Sequence, residues 1–82
     1  MENNMSYENY GTFNGKNYGD RHGGPFDRGS ADSYYGRPRK PHYYVGGTGT
    51  SDEVVELTAD EIEAYHAGYD WNERFGDKKI WD

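Results

Sequence analysis

Residues Leu57–Gly76 read LTADEIEAYHAGYDWNERFG, and the way this stretch folds decides the rest of the chain. Thr58 stands before a helical run with Glu61 at its third position, the spacing of a capping box. Leu57 before the cap and Ile62 at the fourth position supply the hydrophobic staple, and Asp60 and Glu61 suit the positive end of a helix dipole. From there Ile62, Tyr65 and Tyr69 fall on one stripe, and Ala64, Gly68, Trp71 and Phe75 fall on the neighbouring one. The pattern predicts a helix over 59–75, closed by Gly76. Glycine weakens a helix interior by about 1 kcal/mol, so Gly68 between Tyr65, Tyr69 and Trp71 needs a reason. Another backbone crossing closely there, with aromatic walls beside the gap, would supply one.

The candidate for the crossing lies upstream in PFDRGSADSYYG (Pro25–Gly36). Pro25 suits a first helical turn, Asp27 favours the N-terminus, and Gly36 can close the C-terminus in a left-handed conformation. A first helix is expected over about 26–35, with Phe26, Ser30 and Tyr34 on one face and Gly29 and Ala31 at the crossing. Between the helices runs RPRKPHYYVGGTGTSDE (Arg37–Glu53), a basic Pro/Gly linker over 37–53. The run EVVEL (Glu53–Leu57) could be a short strand, but no partner strand is evident, and an extended lead-in to the second helix is expected. Residues 1–24 are rich in Asn, Tyr and Gly, with NYG at Asn9–Gly11 and again at Asn17–Gly19. With almost no aliphatic residues this segment offers little burial to offset its ordering entropy, and it reads as a disordered arm. The expected fold class is therefore mainly α: a small helix–loop–helix domain (25–82) with a disordered N-terminal arm (1–24).

Eighty-two residues allow one small domain. Its aliphatic residues larger than alanine are few, namely Val45, Val54, Val55, Leu57, Ile62 and Ile80, so nine Tyr, three Phe and two Trp must supply most of a core. There is no cysteine, hence no disulfide and no thiolate metal site. No apolar run has the length of a signal peptide or membrane span, which makes a cytoplasmic protein the default expectation. The net charge of -6 is unevenly spread. Arg21, Arg28, Arg37, Arg39 and Lys40 outnumber Asp27 and Asp32 in the middle of the chain. After residue 50, ten acids face only Arg74, Lys78 and Lys79.

Catalytic chemistry finds no constellation. His22, His42 and His66 lie in three segments without ligand spacing, GGTGTS lacks the Gly-Lys-Ser/Thr ending of a phosphate loop, and no order of Ser, His and Asp suggests a triad. No enzyme activity, metal, cofactor or small-molecule substrate is expected. The best binding candidate is RPRKPHYY (Arg37–Tyr44): Arg37, Arg39 and Lys40 could meet phosphates, and His42, Tyr43 and Tyr44 could stack on bases. The same cations could instead pair with the acidic second helix across the molecule.

Three features, RGSADSYYGR (Arg28–Arg37), a proline soon after it (Pro41), and YHAGY (Tyr65–Tyr69), resemble the ribosome modulation factor family and its phage-encoded relatives. The likeness spans about residues 25–69, and the layout is also similar to that of short proteins of tailed bacteriophages. It implies a helix–loop–helix fold, and ribosome binding through ribosomal RNA as a means of modulating host translation. By position it implicates Arg28 and Arg37 at the rim of the first helix, Arg39 and Lys40 in the loop, and Tyr65 and Tyr69 on the second helix. Trp71 completes the aromatic groove.

The ribosome-binding member is strongly basic, whereas this chain is acidic. A second expectation follows from that contrast: inhibition of a host protein, docked through the helix bearing Asp60, Glu61, Glu63, Asp70 and Glu73. A minor phage structural or assembly role is the third. No membrane partner is expected. Trp81 in the terminal GDKKIWD either folds back on the helix pair or reaches for a partner.

Overall fold

A computed structural model describes residues 10–46 and 52–80. The second helix, α2 (Ala59–Phe75), begins as its sequence requires. Thr58 Oγ1 accepts the Glu61 N–H at 3.2 Å, and the Glu61 carboxylate accepts the Thr58 N–H at 2.9 Å. The first helix, α1 (Pro25–Tyr34), has Pro25 in its first turn and Gly24 as a cap residue with no side chain to offer. Asp27 substitutes for the missing cap: its carboxylate accepts the Gly23 N–H and the Tyr10 hydroxyl, both at 2.9 Å. The far end closes in a Schellman motif, with Gly36 at φ +71°, its N–H on the Ser33 carbonyl (3.0 Å) and the Arg37 N–H on the Asp32 carbonyl (2.8 Å).

The two helices cross at a reciprocal pair of glycines. A Cβ placed on Gly68 would overlap the Phe26 carbonyl and lie 2.9 Å from its Cα. A Cβ on Gly29 would overlap the Tyr65 carbonyl and lie 2.9 Å from the Tyr69 nitrogen. The close crossing expected at Gly68 is therefore present, and Gly29 is its counterpart. The face of α1 differs from the expected one. Phe26, Gly29, Ser30 and Ser33 are buried, while Tyr34 points outward at 36 % exposure. Helices this close have room between them for glycine and serine, not for a tyrosine ring.

Polar side chains fill part of the interface. Asn72, buried on α2, donates to Ser33 Oγ (2.9 Å) and to the Asp77 carbonyl (3.0 Å), and Ser33 in turn donates to Glu73 (2.7 Å). Asp32 is 4 % exposed and accepts the hydroxyl of Tyr65, which is fully buried.

The expectation of a disordered arm does not extend to residues 10–24; its first nine residues lie outside the described ones. Strands β1 (Thr12–Phe13) and β2 (Lys16–Asn17) pair antiparallel around Asn14 and Gly15, both at positive φ. Asn-Gly is the favoured pair for such a turn. The hairpin brings the Tyr10 ring edge-on to Phe26 (5.2 Å) and Trp71 (5.1 Å), and lays Tyr18 over Phe26 (6.2 Å). Aromatic burial supplies here what aliphatic residues do not.

The linker is also more ordered than expected at both of its described ends. Tyr43–Tyr44 (β3) pairs antiparallel with Glu53–Val54 (β4), in the register Tyr43↔Val54 and Tyr44↔Glu53. The strand partner missing from the reading of EVVEL was thus the aromatic end of the linker itself. The Tyr44 N–H reaches back to the Gly23 carbonyl at 2.8 Å and ties this second hairpin to the start of α1. Trp81, considered for a fold-back, lies outside the described residues; Ile80 beside it is 81 % exposed.

Candidate functional site

The Schellman turn after α1 aims the chain into the loop 37–40, and the loop is held from below by Tyr65. That hydroxyl donates to Asp32 and accepts the Lys40 N–H at 2.9 Å. Burial pushes the Tyr65 phenol well above its ordinary value, with the neighbouring Asp32 carboxylate adding to the shift. Tyr65 is therefore a neutral, fixed anchor for the loop. Its ring does not reach the surface.

Four of the sequence-selected residues converge. Arg28, Arg37, Lys40 and Tyr44 line one cleft of about 310 Å³ between α1 and the β3–β4 hairpin, together with Asp32, His42 and Glu53. Arg28 lies over the Tyr44 ring at 5.6 Å and pairs with Asp27 at 3.6 Å. Arg37 pairs with the buried Asp32 at 3.3 Å, yet 53 % of its side chain stays exposed. His42 donates through Nδ1 to the Lys40 carbonyl at 2.7 Å, which fixes its tautomer and turns Nε2 toward Glu53 (4.0 Å). Lys40, an exposed residue, also lines the cleft. Three cations against the carboxylates of Asp32 and Glu53 leave one net positive charge beside an imidazole and a phenol ring, which suits a single anionic group with a planar attachment.

The remaining candidates lie elsewhere. Arg39 leaves the cleft and crosses to α2, pairing with Asp70, lying 3.1 Å from His66 Nδ1, and stacking over the Tyr69 ring at 4.2 Å. The cross-molecule pairing foreseen for the loop cations is realised here. Tyr69 donates to the Arg37 carbonyl at 2.5 Å. Tyr43 faces the other side of its strand, stacked under Arg21 at 6.0 Å, beside a second depression of about 440 Å³ that also touches Lys16, Tyr18, Asp60 and Glu61. Trp71 belongs to the aromatic cluster of Tyr10, Phe26 and Phe75. Four of the five acids singled out for docking are already engaged, Glu61 in the capping box and Asp70 with Arg39 among them. Glu63 accepts from Tyr18 (2.6 Å) and Lys16 (3.0 Å), and Glu73 from Lys78 and Ser33. These donors hold both carboxyls below their ordinary value, and Glu63 in return pushes the Tyr18 phenol up to about 12.

Asp32 and the exposed pair Tyr34 and Tyr35 are not among the residues expected at a site, and His42, expected to stack on bases, stands instead as a buried wall of the cleft. Asp32 carried a usable signal, being an acid inside the one arginine-flanked helix and four to five residues from Arg28 and Arg37. The role of His42 had none, because it depends on the strand pairing. Comparison with protein-family models, with curated proteins and with solved structures finds no match for this chain. Among the described residues, no helix is long and apolar enough to cross a membrane.

Proposed function

We propose that this is a small, phage-encoded, non-catalytic binding protein that engages the ribosome or its RNA and modulates host translation. The observation that carries the reading is the convergence of Arg28, Arg37, Lys40 and Tyr44 on one cleft, from positions spread over α1, the loop and β3. The likeness of RGSADSYYGR and YHAGY to the ribosome modulation factor family supports it from the sequence side. An acidic chain with so few free cations would gain little from bulk phosphate attraction. Three phosphate contacts to a single strand give a log–log salt slope of only about -2. The cleft favours one well-placed anionic group over a long charged track.

Co-sedimentation with ribosomes tests this. Lys40→Glu combined with Arg37→Glu should abolish pelleting at moderate salt while the far-UV circular dichroism stays that of the parent. Undiminished pelleting would remove the cleft from the function.

A second reading has its own observation. Asp52, Glu53, Glu56 and Asp60 are all exposed in the segment that runs through β4 to the start of α2, which also carries Val55 at 59 % exposure. That segment suits a basic surface on a host protein. Under this reading Glu56→Lys with Asp60→Lys abolishes capture of the partner and the cleft substitutions do not.

A further inference from the structure

Where α1 ends, the loop returns over α2 and several flat side chains collect on one rim. Tyr34 and Tyr35 sit edge to face at 4.9 Å, each more than one-third exposed. The Arg37 guanidinium lies 4.7 Å over the Tyr35 ring, and that of Arg39 lies 4.2 Å over the Tyr69 ring. The Tyr69 hydroxyl on the Arg37 carbonyl joins the two pairs into one surface. We propose that Tyr34, Tyr35, Arg37, Arg39 and Tyr69 form a stacking platform for the unpaired bases of single-stranded RNA. The proposal deepens the ribosome reading by naming the class of RNA, and it rests on that reading for the choice of RNA as partner.

Each guanidinium plane is pinned before any ligand arrives. Asp32 holds Arg37, while Asp70 and His66 hold Arg39. Side-chain ordering at these positions is thus settled on folding, which lowers what binding must spend. The same carboxylates offset the two positive charges, so the rim does not act chiefly as a phosphate trap. What it presents is π-faces and guanidinium planes, and every base has a face that stacks on them. A duplex keeps its bases stacked on one another and offers a dense phosphate surface, which a chain of net charge -6 repels. The platform and the cleft share Arg37, so a strand could stack a base on the rim and place a neighbouring phosphate toward Lys40.

The test is fluorescence anisotropy of the full chain with a labelled oligoadenylate of about twelve nucleotides, beside its duplex with oligouridylate. Ribosome pelleting is run in parallel. The single strand should bind at least about tenfold more tightly than the duplex, with a log–log salt slope shallower than about -2. Tyr35→Ala should weaken single-strand binding by about tenfold and Tyr35→Trp should retain it, because base stacking depends on ring area. Tyr35 is 38 % exposed, and an unchanged circular dichroism spectrum and melting temperature would show that both variants fold. Equal binding of duplex and single strand, or no effect of Tyr35→Ala, overturns the platform. If ribosomes pellet with the protein but the oligonucleotide does not bind, the platform fails and the ribosome reading stands. Loss of pelleting in Tyr35→Ala without any oligonucleotide binding would make the rim a protein-docking surface and also overturn the proposal. Tyr35-dependent oligonucleotide binding without ribosome pelleting would uphold the platform and sink the ribosome reading instead.

Discussion

An added methyl group at Gly68 has nowhere to go, because the backbone of Phe26 already occupies its place, and the same holds for Gly29 against Tyr65. Backbone cannot swing aside as a flexible side chain can, so the helices would have to separate. Overpacking typically costs 1–3 kcal/mol, and backbone overlap belongs at the top of that range. Gly68→Ala should therefore lower the melting temperature by roughly 10 °C or more, at about 4–8 °C per kcal/mol for a domain of this size. A loss of only a degree or two, read by circular dichroism, would mean that the crossing is looser than the geometry shows. Tyr65→Phe probes the other buried determinant. It removes the hydroxyl that links Asp32 to the Lys40 N–H and leaves the buried Asp32 carboxylate and the part-buried Lys40 N–H each short of one partner, at about 2 kcal/mol. Its melting temperature should fall accordingly, and the loop 37–40 should become the first site of proteolysis.

At the scale of elements, α2 owes its start to local chemistry and α1 owes its start to its neighbours. Thr58→Ala removes one half of the capping box and should destabilise by about 1 kcal/mol, with glycine in the same place costing only a few tenths. If the two substitutions melt alike, the Thr58 side chain is not acting as the cap. Helix α1 has no side-chain cap at Gly24, and the carboxylate of Asp27 serves by holding Gly23 and Tyr10 together. The hairpins differ in legibility. Asn14-Gly15 is a strong turn signal that composition outweighed in the reading of the arm. The pairing of Tyr43–Tyr44 with Glu53–Val54 spans a glycine-rich stretch with no turn signature of comparable strength.

Across the whole molecule, the titrating groups link the hairpin to the helices and set the pH limits of stability. The Tyr10 and Tyr65 phenols are raised above their ordinary value of 10.0, first by burial and then by Asp27 and Asp32 respectively. A raised pKa on a phenol stabilises the fold fully below pH 10, and the contribution declines as pH rises beyond that value. Glu63 and Glu73 are lowered from 4.5 by their donors, so their contribution is present above that value and is lost as pH falls through it. The melting temperature should be level from about pH 6 to 9, drop above pH 10, and drop again below pH 4.5. A Tyr65→Phe chain with an unchanged alkaline limb would show that this phenol does not control it. Removing residues 1–19 should strip Tyr10 and Tyr18 from Phe26, broaden the melting transition and raise dye binding to exposed apolar surface.

Sequence alone determined the second helix to the residue, its capping box, the boundaries of the first helix to within one position, and the need for a close crossing at Gly68. These depend on short-range spacing, on cap chemistry and on the fact that only glycine leaves room for another backbone. Tertiary structure alone decided that Gly68 meets the Phe26 backbone and Gly29 that of Tyr65, that Tyr34 faces outward, and that Tyr10 and Tyr18 cover Phe26. It also decided that Arg28, Arg37, Lys40 and Tyr44 share a cleft while Arg39 crosses to Asp70. Each of these sets which distant groups become neighbours. In a chain with so few aliphatic side chains, that choice rests on aromatic packing and buried hydrogen bonds between segments, which no local pattern encodes.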